Sequence, residues 1–135
     1  MPYTWTLTDD GRGLVQVGSG VVTGAELLAA CAANSRAQEG TEWLTHGLVD
    51  LAEVTSLQAS TAELRRLAEE SRVAAKFAPG AHVALVAPRD LVYGLARMWE
   101  VFATETGWTT QVFRDRASAE AWLAEQLAGT GEPPG

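Results

Sequence analysis

The chain has 135 residues and a formal net charge of −7; 47% of its residues are hydrophobic and 20% are charged. This composition is ordinary for a globular protein, and the length fits one domain. An acidic domain without a basic stripe argues against binding to nucleic acid or to an anionic membrane surface. The apolar runs are too short to span a bilayer, and the N-terminus lacks a signal-peptide pattern. Because Cys31 is the only cysteine, no internal disulfide can form, and we expect a cytoplasmic protein.

The N-terminal segment predicts an antiparallel β-hairpin. Tyr3, Trp5 and Leu7 alternate with threonines, which is the period of a strand with one apolar face. The turn-forming residues 9–13 separate this strand from a second β-rich run over residues 14–22. The two runs are therefore expected to pair with each other.

Helices and strands alternate along the rest of the chain. Thr23 and Glu26 have the spacing of a capping box, so a helix is expected to begin at residue 24. Asp90 and Asp115 are expected to cap two later helices. Residues 36–45 are polar and predict an irregular segment. The helices are predicted over residues 24–35, from 60 up to the Pro-Gly at 79–80, over 90–105 and after 115; the strands are predicted over 47–51, 82–87 and 109–113.

The order of elements, β-β-α-β-α-β-α-β-α, predicts an α/β fold. We expect a five-stranded, mostly parallel sheet with an N-terminal antiparallel hairpin and about four helices. The strand at 82–87 is apolar after its first residue, which is typical of the centre of a parallel sheet. One domain is expected over residues 1–128. Residues 129–135 contain two prolines and three glycines and are expected to form a disordered tail.

Several segments together suggest a family. These are Leu-Val-Asp-Leu at 48–51, Val-Ala-Leu-Val-Ala-Pro at 83–88, Tyr-Gly-Leu-Ala-Arg-Met-Trp-Glu at 93–100, and Val-Phe-Arg-Asp at 112–115 leading to Ala-Glu-Ala-Trp-Leu at 119–123. In these segments and in its element order, the chain resembles the STAS domain of anti-sigma-factor antagonists and, still more, the small bacterial SpoIIAA-like proteins. The resemblance implies the fold, and it implies no known chemistry for this branch.

The resemblance also draws attention to the start of the second helix. STAS regulators carry an Asp-Ser-Ser-Gly signature whose phosphorylated serine lies at this point. Here the stretch reads Gln-Ala-Ser-Thr at 58–61, so Ala59 occupies roughly the phosphoserine position. We therefore expect no phosphorylation switch at residue 59. Ser60 or Thr61 is expected to cap the helix, with modification of either as the alternative.

Residues that commonly carry enzyme chemistry are sparse. His46 and His82 lie in different segments without metal-ligand spacing, and Cys31 lies among alanines without a basic neighbour. The Gly-Ser-Gly at 18–20 lacks the further glycine and lysine of a phosphate-binding loop. No Gly-x-Ser-x-Gly elbow is present. The sequence thus predicts no catalytic residues, no metal site and no cofactor, and favours a protein that is not an enzyme.

Polar residues follow the three predicted parallel strands, where ligands bind in open α/β sheets. They could recognise a polar ligand or a partner loop. Alternatively, the aspartates are helix caps and the arginines pair with neighbouring acids. The first strand supplies Asp50, Thr55 and Ser56 with Glu53; the second supplies Arg89, Asp90 and Tyr93 with Pro88; the third supplies Arg114 and Asp115 with Arg116.

The predicted helix over 90–105 has an apolar arc of roughly 160°, wider than the stripe of about 100° that a helix on a sheet needs. If Leu91, Leu95 and their neighbours face the sheet, Val92 and Trp99 are left on a shoulder of the helix. This shoulder would pack on a neighbouring helix, line an apolar pocket, or form a subunit interface.

These observations favour a non-enzymatic binding or regulatory module that acts through protein–protein contacts and forms a homodimer. The alternative is a carrier of a small apolar ligand, held in a pocket beside the 90–105 helix. Neither hypothesis involves nucleic acid or a membrane.

Overall fold

The computed structural model of the chain describes residues 3–8, 10–37, 44–76 and 78–129. The predicted turn residue Asp9, most of the irregular 36–45 segment and all but the first residue of the predicted 129–135 tail lie outside these ranges. None of the helices in the described ranges combines the length and the apolar character needed to cross a bilayer. The strands are β1 (Tyr3–Leu7), β2 (Gly13–Thr23), β3 (His46–Gln58), β4 (His82–Val86) and β5 (Thr109–Phe113); the helices are α1 (Gly24–Ala37), α2 (Thr61–Ala74), α3 (Asp90–Phe102), a short 3₁₀ helix (Ala103–Thr106) and α4 (Arg116–Gly129).

The five strands form one sheet in the order β1-β2-β3-β4-β5. The β1–β2 pair is antiparallel and the other pairs are parallel. The predicted fold class is therefore confirmed. Each crossover moves to the next strand in the same direction, and crossovers between parallel strands are almost always right-handed. This combination places α1, α2 and α3 on one face of the sheet and leaves the other face to α4.

The alternation of side chains along each strand divides the core between the two faces. Leu51 and Leu85 lie in the large cluster that includes residues of α2 and α3. Leu48, Ala84 and Val86 instead pack with the α4 residues Ala119 and Leu123. Trp122 of α4 is partly buried against the same cluster.

β3, rather than β4, is the central strand, and it is far longer than the predicted segment 47–51. Two register shifts explain the difference. Val17 pairs with Asp50 and Ser19 pairs with Glu53, so β3 uses three residues where β2 uses two. As a result, Leu51, Val54 and Leu57 are all buried at a spacing of three. A spacing of three does not match the alternation of a strand. The sequence pattern therefore ended the predicted strand too early.

Three of the predicted helix caps are confirmed and one is wrong. Thr23 with Glu26, and Ser60 with Glu63, form reciprocal capping boxes. Asp115 accepts a hydrogen bond from the backbone N–H of Ser118 at 2.7 Å, which lowers the pKa of the Asp115 carboxyl. By contrast, the N-cap position of α3 is held by Arg89, without a side-chain capping bond, and Asp90 is the first helical residue.

The rotational orientation predicted for α3 is wrong. Val92 and Trp99 are 2% and 7% exposed and belong to the core, whereas Leu91 and Val101 are 69% and 64% exposed. Burying Trp99 removes the largest apolar side chain of this helix from water, which favours the observed orientation. The apolar shoulder therefore exists, but it consists of Leu91, Met98 and Val101. Val92 and Trp99 are not part of any exposed surface.

This orientation predicts opposite results for two charge substitutions. Trp99→Glu should unfold the domain, because truncating a buried Trp alone costs about 3–5 kcal/mol and a buried carboxylate adds to that cost. Leu91→Glu, on the same helix, should change the free energy of unfolding by less than about 0.5 kcal/mol. Circular dichroism with thermal melting distinguishes them. A folded Trp99→Glu variant would show that the orientation described here is incorrect.

Candidate functional site

A partly open, mainly apolar cavity lies between α2 and the sheet. Its volume is about 150 Å³. α2 lies beside α1, α3 and the following 3₁₀ helix, and its Leu64 and Ala68 share a buried cluster with Leu51 and Leu85 of the sheet. The face of α2 turned towards the sheet carries Leu64, Leu67, Ser71 and Ala74, and all four line the cavity. The cavity is the space left between these side chains and the sheet.

The opposite wall of the cavity comes from the sheet and from the flanking helices. The sheet wall has the buried apolar character expected of the inner face of a parallel sheet. Small residues at several wall positions leave the space unfilled. The sheet contributes Tyr3, Leu14, Gln16, His46, Gly47, Val49, Leu51, Leu57, Val83 and Leu85; the flanking segments contribute Leu27, Leu44, Ala78, Ala81, Leu95, Ala96, Trp99 and Trp108.

Most polar side chains in this wall bond within the wall or to nearby backbone. The Tyr3 hydroxyl donates to Gln16 Oε1 at 2.8 Å, and burial raises the pKa of that hydroxyl. Ser71 Oγ donates to the carbonyl of Leu67 at 2.8 Å. Trp108 Nε1 donates to the carbonyl of Ala78 at 2.8 Å. These groups are therefore satisfied without a ligand.

The indole of Trp99 differs from these groups. Its side chain lines the cavity, and its Nε1 is buried without a hydrogen-bond partner among the residues that the structure describes. The interpretation of Trp99 as a pocket residue therefore agrees with its position, whereas the interface interpretation does not. Val92 lies in the core beside it and does not line the cavity.

Cys31 also lines the cavity, from α1. Burial raises the pKa of its thiol to about 11, and the nearby Glu70 carboxylate adds to this effect. The thiol is therefore protonated at neutral pH, and a protonated thiol is a poor nucleophile. This agrees with the inert character expected from the alanines around it.

The predicted rim at the strand ends contains two groups of paired charges. Asp50 pairs with Val86 in the sheet, so it lies level with the end of β4. Arg116 donates to Asp50 Oδ2 at 3.1 Å and to Glu120 Oε2 at 3.0 Å. The bond to Glu120, with that to Asp50, raises the pKa of the Arg116 guanidinium.

The second rim group lies where β5 ends and α3 begins. Arg114 Nη1 donates to Asp90 Oδ1 at 2.6 Å and to the carbonyl of Pro88 at 3.1 Å. The Arg114 guanidinium carbon lies 4.0 Å from the centre of the Tyr93 ring. Arg114 and Arg116 are thus both paired with carboxylates of the chain itself, and exposed pairs of this kind contribute less than about 1 kcal/mol each.

The structure does not bring the remaining rim residues into these groups. Thr55 and Ser56 were predicted to follow the end of a short strand. They lie instead within β3, in the part that extends beyond β4 and pairs only with β2. Arg89 is exposed before α3, and Asp115 caps α4. The charged rim is therefore smaller than the sequence predicted.

The two histidines are neighbours, which their sequence separation did not indicate. His46 pairs with His82 across β3 and β4. The His82 ring is buried and meets the Trp122 ring edge-on at 6.4 Å. Burial lowers the pKa of both imidazoles. His82 lies at the start of β4, away from the carboxyl ends of the strands, as predicted.

Ser60 forms the capping box of α2 with Glu63, which confirms the prediction that Ser60 or Thr61 caps this helix. Its Oγ accepts from the Glu63 backbone N–H at 3.1 Å, and Glu63 Oε1 accepts from the Ser60 backbone N–H at 3.0 Å. Thr61 is exposed, and its hydroxyl lies 3.9 Å from the Met98 sulfur.

Comparison with known proteins supports the fold. An uncharacterised protein from the DUF3478 family, from Shewanella loihica PV-4, has a solved structure with a SpoIIAA-like fold. It is 19% identical to this chain, with a TM-score of 0.56, and the match covers 90% of this chain and 91% of that one. No family model matches the sequence, and no curated protein matches it. The chain therefore has a SpoIIAA-like fold, as its sequence resemblance implied.

The cavity residues outside α3 were missed by sequence reasoning. The sequence predicts one apolar stripe on this helix, and such a stripe in most helices simply packs on the sheet. Its members are Leu64, Leu67, Ala68, Ser71 and Ala75. The available signal was the series of small residues at 74, 78 and 81, followed by a buried strand. Small residues leave space only if the helix and the sheet do not move closer together, and a sequence pattern does not report the distance between them.

The lowered pKa values of the two histidines predict a pH dependence of stability. Because burial lowers the folded-state pKa of His82 below its ordinary value of 6.5, the unfolded chain takes up a proton first as the pH falls. The folded state is therefore favoured most above the unfolded-state pKa of His82. Its stability falls as the pH decreases from that pKa towards the lower folded-state pKa. Urea unfolding at pH 7.5 and 5.5 should show lower stability at pH 5.5. His82→Phe, which keeps a ring against Trp122, should reduce this difference; an unchanged difference would contradict the assignment.

Proposed function

We propose that this protein is a non-enzymatic binding module whose site is the apolar cavity between α2 and the sheet. The observation that carries the proposal is the cavity itself, about 150 Å³ in volume and walled mainly by leucine, valine and alanine side chains. Core packing in proteins ordinarily leaves few voids larger than a water molecule. A small apolar ligand would fill this one.

The chemistry of the wall supports an apolar ligand. A cavity of similar volume lined by apolar side chains stays dry and takes up benzene or xenon. Among the lining residues that the structure describes, none is Lys, Arg, Asp or Glu. A charged ligand would therefore lose its hydration without gaining an ion pair, which is costly. The volume suits a molecule of about one substituted aromatic ring.

Ligand binding can be tested with α-methylstyrene, an apolar molecule of this size. At a free concentration about ten times its Kd, linkage should raise the free energy of unfolding by about 1.4 kcal/mol. Ala74→Phe places a ring in the cavity and should abolish the stabilisation. Ala62→Phe, on the exposed side of the same helix, should be stabilised like the unmodified protein. Thermal melting with and without the ligand measures the effect.

Two outcomes would contradict the proposal. One is the absence of any stabilisation of the unmodified protein at saturating α-methylstyrene. The other is equal stabilisation of a folded Ala74→Phe variant, which would place the ligand elsewhere. Circular dichroism of both variants controls for misfolding.

A second candidate function is action through protein contacts, with a second copy of this chain as the partner. It is favoured by the outer face of α3, where Leu91, Met98 and Val101 are exposed. Apolar side chains grouped on one surface are typical of interaction sites. On this proposal the protein is a homodimer that buries these three side chains.

Sedimentation tests the dimer. The unmodified chain should sediment as a dimer, and the double substitution Leu91→Glu with Val101→Glu should give a folded monomer, because the dimer would have to desolvate two carboxylates. Val73→Glu, which changes an exposed valine on α2, should remain dimeric. An unmodified protein that is monomeric at every concentration tested would contradict this candidate.

A further inference from the structure

Resting on the proposed function, we propose that the ligand is a small apolar alcohol or phenol whose hydroxyl group binds to Tyr3 and Gln16 in the cavity wall. The apolar body of the ligand contacts the leucine and valine side chains of the same wall. The class of ligand is thus narrowed from apolar molecules in general to those that carry one hydroxyl group. The inference comes from the way in which these two polar side chains bond to each other.

Tyr3 and Gln16 lie next to each other on the cavity face of the sheet, and both line the cavity. Gln16 pairs with Val49 of β3, and paired residues of neighbouring strands point to the same face of a sheet. Because Val49 lines the cavity, the Gln16 side chain lies on the same face. The Tyr3 ring lies over Gly18, where an added Cβ atom would come within 3.3 Å of the ring. The missing side chain at residue 18 therefore lets the ring lie against the sheet, with its hydroxyl group at Gln16.

The hydrogen bond between these two side chains leaves the amide nitrogen of Gln16 unused. The Tyr3 hydroxyl donates to Gln16 Oε1 at 2.8 Å. Gln16 Nε2 carries two N–H groups, and neither donates to an acceptor among the residues that the structure describes. The buried side-chain nitrogens and oxygens that lack a partner in the same residues are His82 Nδ1 and Trp99 Nε1. Gln16 Nε2 is not one of them and therefore keeps accessible surface, so a ligand in the cavity that Gln16 lines can reach it.

The other polar side chains of the wall offer less to a ligand. Ser71 Oγ and Trp108 Nε1 already donate to backbone carbonyl groups. His46 Nδ1 lies 2.9 Å from the Thr45 hydroxyl oxygen. The Cys31 thiol is only a weak donor and a weak acceptor. The Tyr3 and Gln16 pair is therefore the place in the described wall where a polar group of the ligand gains most.

A hydroxyl group on the ligand completes a cycle of three hydrogen bonds. The ligand O–H donates to the Tyr3 oxygen, the Tyr3 O–H donates to Gln16 Oε1, and Gln16 Nε2–H donates to the ligand oxygen. Each hydroxyl group donates once and accepts once, which is within its capacity. If the amide group is reversed, all three bonds reverse and the match is unchanged. A carbonyl or ether oxygen only accepts, so it leaves the cycle open.

A matched pair of ligands tests the inference. Benzyl alcohol and ethylbenzene have nearly the same shape and differ by a hydroxyl group in place of a methyl group. The side-chain amide resonances are followed by ¹⁵N–¹H NMR, and the Gln16 signals are identified by their loss in Gln16→Leu. Benzyl alcohol should shift one Gln16 N–H proton downfield, and ethylbenzene should not. The side-chain amide of Gln111, an exposed residue of β5, should shift with neither ligand.

Affinity gives a second readout. Tyr3→Phe and Gln16→Leu each remove one member of the cycle and keep a side chain of similar size. Each should weaken the binding of benzyl alcohol relative to ethylbenzene by about fivefold, the size expected for one net hydrogen bond. Gln111→Leu is the matched control and should leave the ratio of the two affinities unchanged.

The outcomes separate this inference from the proposed function. If ethylbenzene binds but the Gln16 amide responds equally to both ligands, or folded Tyr3→Phe leaves the ratio unchanged, the hydroxyl inference is wrong and the proposed function stands. If neither ligand binds, both the proposed function and the inference fail. Should Gln16→Leu not fold, its amide signals are assigned in the unmodified protein through bonds from the Gln16 backbone N–H, and the NMR comparison remains decisive.

Discussion

The pairing of β2 with β3 is the interaction on which the rest of the structure depends. β3 is the central strand, and it pairs with β2 from His46 to Gln58 but with β4 only as far as Asp50. The extended part of β3 presents Leu51, Val54 and Leu57 to the face that carries α1, α2 and α3. Sequential crossovers place all three helices on that face, so three helices must share one sheet surface. α2, the middle one, packs between its neighbours and leaves the cavity beneath it.

The cavity lowers the stability of the fold, because the side chains that line it lack the packing contacts of a filled core. A ligand that filled the space would recover part of that cost. Sites that bind ligands commonly retain such local costs.

The sequence predicted the elements well where local chemistry decides them. The Thr23 and Ser60 caps, the β5 strand and the hairpin depend on neighbouring residues, and each was visible in the pattern. The length of β3 was not, because two bulges change the spacing of Leu51, Val54 and Leu57 from two to three. The orientation of α3 was also missed. Its apolar arc is wide enough to allow two orientations, and only the packing of Trp99 in the assembled core chooses between them.

The candidate site was also predicted only in part, because some of its features depend on contacts between distant residues. Sequence reasoning placed a pocket beside the 90–105 helix as an alternative, and it named Trp99. It did not indicate the distance between α2 and the sheet, which creates the space, nor that Asp50 and Asp90 would pair with Arg116 and Arg114. Both depend on contacts between residues far apart in the chain.

The central claim is that the space beneath α2 is an accessible apolar binding site, and xenon tests it most directly. Xenon is an apolar atom that enters dry cavities without requiring polar partners. Diffraction from crystals held under xenon pressure should show a xenon peak among Leu51, Leu64, Leu67 and Leu85. A refined structure in which side chains fill this space, or in which no xenon enters it under pressure, would contradict the account.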